Sequence, residues 1–118
     1  MTADWVRACC MSFPHVTEHV QWGNELVFKI AGKMFAAVCL EPGEVVLSFK
    51  CTGEEFTELV ERPGVAPAPY LARAHWVALE SHDALPRKEL QQLLRKAYDQ
   101  VFAKLPKKSQ RELLGKQQ

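Results

Sequence analysis

Two very short connections between apolar runs constrain this chain more than anything else in it. Ala31-Gly32-Lys33 joins Glu25–Ile30 to Met34–Leu40, and Glu41-Pro42-Gly43-Glu44 joins that run to Val45–Cys51. A parallel crossover needs roughly a dozen residues or more, so these three runs must be successive antiparallel strands. Gly32 can take the positive φ that a tight hairpin demands. Pro42 and Gly43 are each at a turn position they favour. Leu26, Phe28 and Ile30 share one face of the first run, the alternation of a half-buried strand. Met34–Leu40 is apolar on both faces, which predicts a central strand, and Val45–Cys51 alternates again. Upstream, His15–Gln21 carries β-branched Val16, Thr17 and Val20 and reads as a short edge strand before a turn at Trp22-Gly23-Asn24.

Helices flank this meander. Residues 2–13 read as a helix: Thr2 or Asp4 can cap its free N–H groups. Trp5, Cys9 and Ser12 line one side, joined by Val6, Cys10 and Phe13 at helical spacing. Pro14 stops it, because the residue before a proline is pushed out of the helical region. A second helix starts at Thr52-Gly53, with Glu54 and Glu55 in the first turn where the dipole favours acids. It continues through Phe56, Leu59 and Val60 and ends at Arg62-Pro63-Gly64. Pro63, Pro67 and Pro69 then keep helix out of the next stretch, which closes in a buried strand, Trp76–Leu79. Ser81–Leu85 is a loop, and Pro86 suits the first position of a long last helix. Its apolar stripe is Leu90, Leu93, Leu94, Ala97, Val101 and Phe102, with Tyr98 beside it. Leu105-Pro106 breaks it. Residues 106–118 read as a tail that adds a short helical turn over Ser109–Leu114 and then frays.

The order helix, meander, helix, strand, helix predicts an α+β fold. It is a two-layer sandwich with the N-terminal, middle and long C-terminal helices on one face of an antiparallel sheet. At 118 residues, 47% hydrophobic and 25% charged, residues 1–118 are expected to form a single domain. No apolar run is long enough to span a bilayer. The start lacks a basic-then-apolar leader pattern, so a cytoplasmic protein is expected. Cys9, Cys10, Cys39 and Cys51 form no C-x-x-C pair and read as free thiols in a reducing compartment.

The net charge of +1 conceals a division. Residues 1–61 hold four bases and nine acids, and residues 62–118 hold eleven bases and five acids. Such a chain can present a basic face to a polyanion, or simply carry two oppositely charged solvated surfaces.

Three blocks carry a family resemblance. FKIAGKMFA (Phe28–Ala36), PGVAPAPYLARAHWVAL (Pro63–Leu79) and LLRKAYDQVFAKLPKK (Leu93–Lys108) together resemble the MmcQ/YjbR-like family of small bacterial proteins, over nearly the whole chain. The resemblance implies a fold related to type III secretion chaperones, a "double wing" motif, and the DNA binding commonly ascribed to the family. Members usually have a serine before the tyrosine of the last helix, and this chain has Ala97 there.

Enzyme chemistry finds no foothold. His15 and His19 lie outside any H-E-x-x-H pattern and read as exposed edge histidines. No serine lies in a G-x-S-x-G elbow. The glycines are scattered turn formers and build no phosphate loop. A non-enzymatic protein without cofactor or metal is expected. The better lead is basic. Lys29 and Lys33 flank a hairpin tip that could lie against a duplex backbone. Arg73 and His75 sit beside Tyr70 and Trp76 on the proline-rich loop, with His75 also suited to a structural role. Lys104, Lys107, Lys108 and Arg111 follow at the end of the last helix. These nucleic-acid-binding candidates (Tyr70 included) need only form an accessible row of cations to contact the phosphates of double-stranded DNA, with little sequence preference. The alternative is a protein- or peptide-binding module, in which the proline loop, Tyr70 and Trp76 form an apolar groove.

Overall fold

The computed structural model describes residues 2–41, 43, 45–69 and 71–115. Helix α1 (Ala3–Met11) opens the chain, its first turn capped by the Thr2 hydroxyl, which accepts from the Trp5 amide at 3.1 Å. Strands β1 (Val16–Gln21), β2 (Glu25–Ile30), β3 (Lys33–Cys39) and β4 (Leu47–Lys50) then form the expected antiparallel meander. Helix α2 (Gly53–Leu59) begins with a capping box: Thr52 and Glu55 exchange side-chain-to-backbone hydrogen bonds at 2.9 and 3.1 Å. Strands β5 (Val65–Pro67) and β6 (Trp76–Leu79) follow, with a 3-10 turn at Ala72–Ala74 between them. Helices α3 (Arg87–Ala103) and α4 (Lys107–Gly115) complete the described chain.

The six strands lie in the order β1-β2-β3-β4-β6-β5, every neighbouring pair antiparallel. The hairpin between β2 and β3 turns on Ala31 (φ 50°) and Gly32 (φ 81°), the paired positive φ of a primed turn. The α+β sandwich is as the pattern predicts: α1, α2 and α3 share one core with the residues on one face of the sheet. That core joins Val6 and Cys10 of α1, Leu59 of α2 and Leu90, Leu94 and Ala97 of α3 to Phe28, Phe35, Leu47, Phe49, Val77 and Leu79 of the strands.

Three details differ from the sequence reading. β5 was not expected as a strand. It pairs with β6 at the edge of the sheet, where Pro67 disrupts no interior ladder. α4 is a nine-residue helix rather than a turn over Ser109–Leu114. Gln110 anchors it by donating to the carbonyls of Ala103 and Leu105 at 3.2 and 2.8 Å. His15 is half buried, with a left-handed φ of 63°, and its Nε2 is buried without a partner.

A β-bulge shapes the middle of the sheet. Phe28 faces Ala36 while Lys29 faces Met34, so Phe35 is the extra residue, and both Phe35 and Ala36 are buried in the helix-side core. Phe35 thereby meets Tyr98 of α3 edge-on at 5.7 Å, and both rings meet Phe13, just after α1. The Tyr98 hydroxyl donates to the Pro14 carbonyl at 2.7 Å across 84 residues of sequence. Removing that donor leaves a shielded carbonyl unpaired. Tyr98→Phe should lower unfolding free energy by about 1–2 kcal/mol, read as a lower urea midpoint with an unchanged slope.

Candidate functional site

The antiparallel register decides which side chains share an end of the sheet. Lys29 faces Met34 near the β2–β3 turn, and Lys33 opens β3 at that turn. Lys50 closes β4 at the same end, opposite Trp76, the first residue of β6. Its Nζ donates to the Ala74 carbonyl at 2.9 Å, which brings the 3-10 turn and Arg73 to this end as well. Burial pulls the Lys50 ammonium below the usual lysine range, and the neighbouring Lys104 ammonium pulls it further. Lys104 ends α3, Lys107 and Lys108 open α4, and Arg111 lies one turn further on the same side of that helix. Glu25, Glu41 and Glu80 lie at the opposite end of the strands.

Among the described residues, the ion pairs use other bases: Arg7 with Glu18, Arg62 with Glu89, Arg95 with Asp99 and Lys96 with Glu55. Lys29, Lys33, Lys50, Arg73, Lys104, Lys107, Lys108 and Arg111 take part in none of them. The structure therefore sets Lys29, Lys33 and Arg73 at one end of the sheet and Lys104 within electrostatic range of Lys50, with Lys107 and Lys108 following in α4. The sequence reading missed Lys50. The signal was available, since Lys50 alternates with Ser48 out of the core-facing set Leu47 and Phe49.

His75 is committed to packing. It has a left-handed φ of 60°, its ring lies 5.8 Å from Phe56, and a Cβ at Gly53 would meet its Cε1 at 3.4 Å. Its ring thus covers the first turn of α2. Tyr70 lies outside the described residues.

The second feature is the helix-free face of the sheet. Its central positions are small: Ala37 is in register with Ser48, and Ser48 with Ala78. A groove of about 570 Å³ lies over this floor. Ala68, Pro69 and Leu71 of the proline-rich loop line it together with Trp76, Met34, Val45, Trp22 and Glu25. Trp22 is 64% exposed at the β1–β2 turn. Sequence reading placed the proline loop and Trp76 here. It did not find Met34, Val45 or Trp22, because they reach the groove from strands and turns distant in sequence.

Two of the four free thiols, Cys10 and Cys51, are buried. Burial pushes the Cys10 thiol far above the ordinary cysteine range, with Cys9 adding to it, and lifts Cys51 to about 11, with Glu55 adding to it. Among the described residues no group of three or more His, Cys, Asp or Glu is placed to hold a metal ion, and no helix is long and apolar enough to cross a membrane.

The chain is a small α+β protein with a bare sheet face opposite a helical layer. The family comparison is specific: the YjbR family model matches residues 11–100, and the chain belongs to that family. Among solved structures, the crystal structure of the Deinococcus radiodurans protein DR2400, with a DUF419 domain, is similar at 31% identity and a TM-score of 0.85. The match covers 95% of this chain and 87% of that one. A Pseudomonas syringae protein shares the fold at 19% identity and a TM-score of 0.68, covering 82% of this chain and 96% of that one. Among curated proteins, no sequence matches the chain.

Because the folded Cys51 thiol holds its proton above the pKa of about 9 of an unfolded thiol, its share of stability is present below pH 9 and lost as pH rises to about 11. A thiol-exchange reagent at about pH 8 should therefore leave Cys10 and Cys51 unmodified until the protein is unfolded, as counted by mass spectrometry.

Proposed function

We propose that this chain is a DNA-binding protein that contacts the phosphate backbone of a duplex with the basic end of its sheet. The observation that carries the reading is that Lys29, Lys33, Lys50 and Arg73 share one end of the sheet, with Lys104 near Lys50 and no acid in an ion pair with any of them among the described residues. Unpaired cations at close quarters repel one another, and a polyanion relieves that repulsion while releasing its own counterions. Lys107 and Lys108 support the reading. They occupy the first turn of α4, where the helix dipole disfavours cations and favours an anion. Point-charge contacts to phosphate carry no base information, so sequence preference is weak. The partner is double-stranded DNA, and the role is binding rather than catalysis. A bacterial cytoplasm suits both the bacterial relatives and the free thiols.

Fluorescence anisotropy with a labelled duplex of about 20 base pairs tests this. With about five phosphate contacts, affinity should fall by about 10²-fold or more between 50 and 200 mM salt. Lys33→Glu and Arg73→Glu should each weaken binding across all sequences and flatten the salt slope by about one contact. No retardation of any duplex at low salt sinks the proposal.

A second reading is favoured by the groove. Its apolar lining and volume fall in the range of ligand and peptide sites, so the helix-free face can serve as a protein- or peptide-binding surface. Binding of an apolar peptide that persists at about 1 M salt supports this reading, because burial of apolar area is not screened.

A further inference from the structure

Ser48 is the single buried polar residue among the described residues, at 8% exposure. It lies on the groove floor, and its hydroxyl makes no hydrogen bond to any described residue. That leaves the hydroxyl at the groove surface able to donate to or accept from an incoming group. The floor around it is cut low by Ala37 and Ala78, so an incoming backbone can approach the sheet closely.

The groove also has a polarity. At one end stands Glu25. At the other stand Met34 and Trp76, which face Lys29 and Lys50 across their strand pairs, with Lys33 and Arg73 beyond. The distance along the strand from Glu25 to Lys29 is about 13 Å, at roughly 3.3 Å per residue. That is the length of about four extended residues. An occupant with acids at the Glu25 end meets a like charge, whereas acids at the Met34–Trp76 end meet unpaired cations.

We propose that the groove binds a linear peptide segment of about four apolar residues whose adjoining acidic run lies over Lys29, Lys50, Lys33 and Arg73. The inference rests on the peptide-binding reading of the groove and does not require the DNA reading. The backbone of the apolar segment pairs with the Ser48 hydroxyl, and its side chains contact Met34, Leu71 and Trp22.

The test uses the full chain and four labelled octapeptides read by fluorescence anisotropy. Two carry four leucines and four aspartates in blocks, in either order. The third interleaves the same residues, and the fourth replaces the aspartates by glutamines. One block peptide should bind about tenfold or more tighter than the interleaved and glutamine peptides. Ser48→Leu fills the floor, and Met34→Glu sets a carboxylate in the basic wall. Each should weaken the block peptide about tenfold or more. Met34 is half buried, so that variant keeps the test valid if Ser48→Leu fails to fold, as judged by circular dichroism. Equal binding of the block and glutamine peptides overturns the acidic-run proposal while leaving the groove as a binding surface. Failure of every peptide overturns both. Block-peptide binding that neither substitution weakens overturns the placement in the groove.

Discussion

The hydrogen bond from Tyr98 to the Pro14 carbonyl, set inside the Phe13–Phe35–Tyr98 cluster, is the contact on which the rest of the architecture depends. It ties the exit of α1, the bulged strand β3 and the middle of α3 at one point. These segments are far apart in sequence, so closing them is entropically costly, and dense aromatic burial offsets that cost. Burial also raises the Tyr98 phenol above its usual range, which keeps it protonated as a donor. Ala97, buried beside it, is filled by the core and has no polar task. Arg95 covers the outer faces of Phe13 and Tyr98 at 5.3 and 5.1 Å from the ring centroids, while its guanidinium pairs with Asp99. The cluster therefore consumes one of the bases of the second half of the chain.

All three core helices lie on one face, and the other face follows from that choice. With no layer to cover it, the opposite face carries small residues along its centre and bulky ones, Trp76, Met34 and Trp22, around its margin. The proline-rich loop closes one side. Its conformation is held by Ala68 and Trp76, which bond to each other's neighbourhood through the Ala68 amide to the Trp76 carbonyl at 3.0 Å and the Trp76 amide to the Leu71 carbonyl at 3.2 Å. A loop pinned this way is a wall. It shields Trp76, which is almost wholly buried, so the strand keeps its aromatic residue while the groove keeps its rim.

Much of the framework was legible in the sequence. Gly32 and its two neighbours could only make a hairpin, and Thr52 with Glu55 could start a helix, because both are decided by local backbone chemistry. The basic candidates were legible as residue types. Their grouping was not. Lys50 falls 21 positions after Lys29 and 54 before Lys104, and only the strand register and the return of α3 along the sheet bring them together. His75 shows the reverse. Its neighbours suggested an anion contact, but its left-handed backbone turns the ring onto Gly53 and Phe56. β5 escaped because three prolines within seven residues argue against a strand, and only an edge position tolerates them.

The sequence by itself determined the antiparallel meander, the starts of α1 and α2 and the unequal charge of the two halves, since short turns, caps and residue types act over a few neighbouring positions. Tertiary structure alone decided that Lys29, Lys33, Lys50 and Arg73 share one strand end, that the helices leave one face bare, and that Ser48 lies on its floor. Those outcomes depend on which distant residues are set side by side, and that is fixed by register and by the burial of Phe13, Phe35 and Tyr98 together.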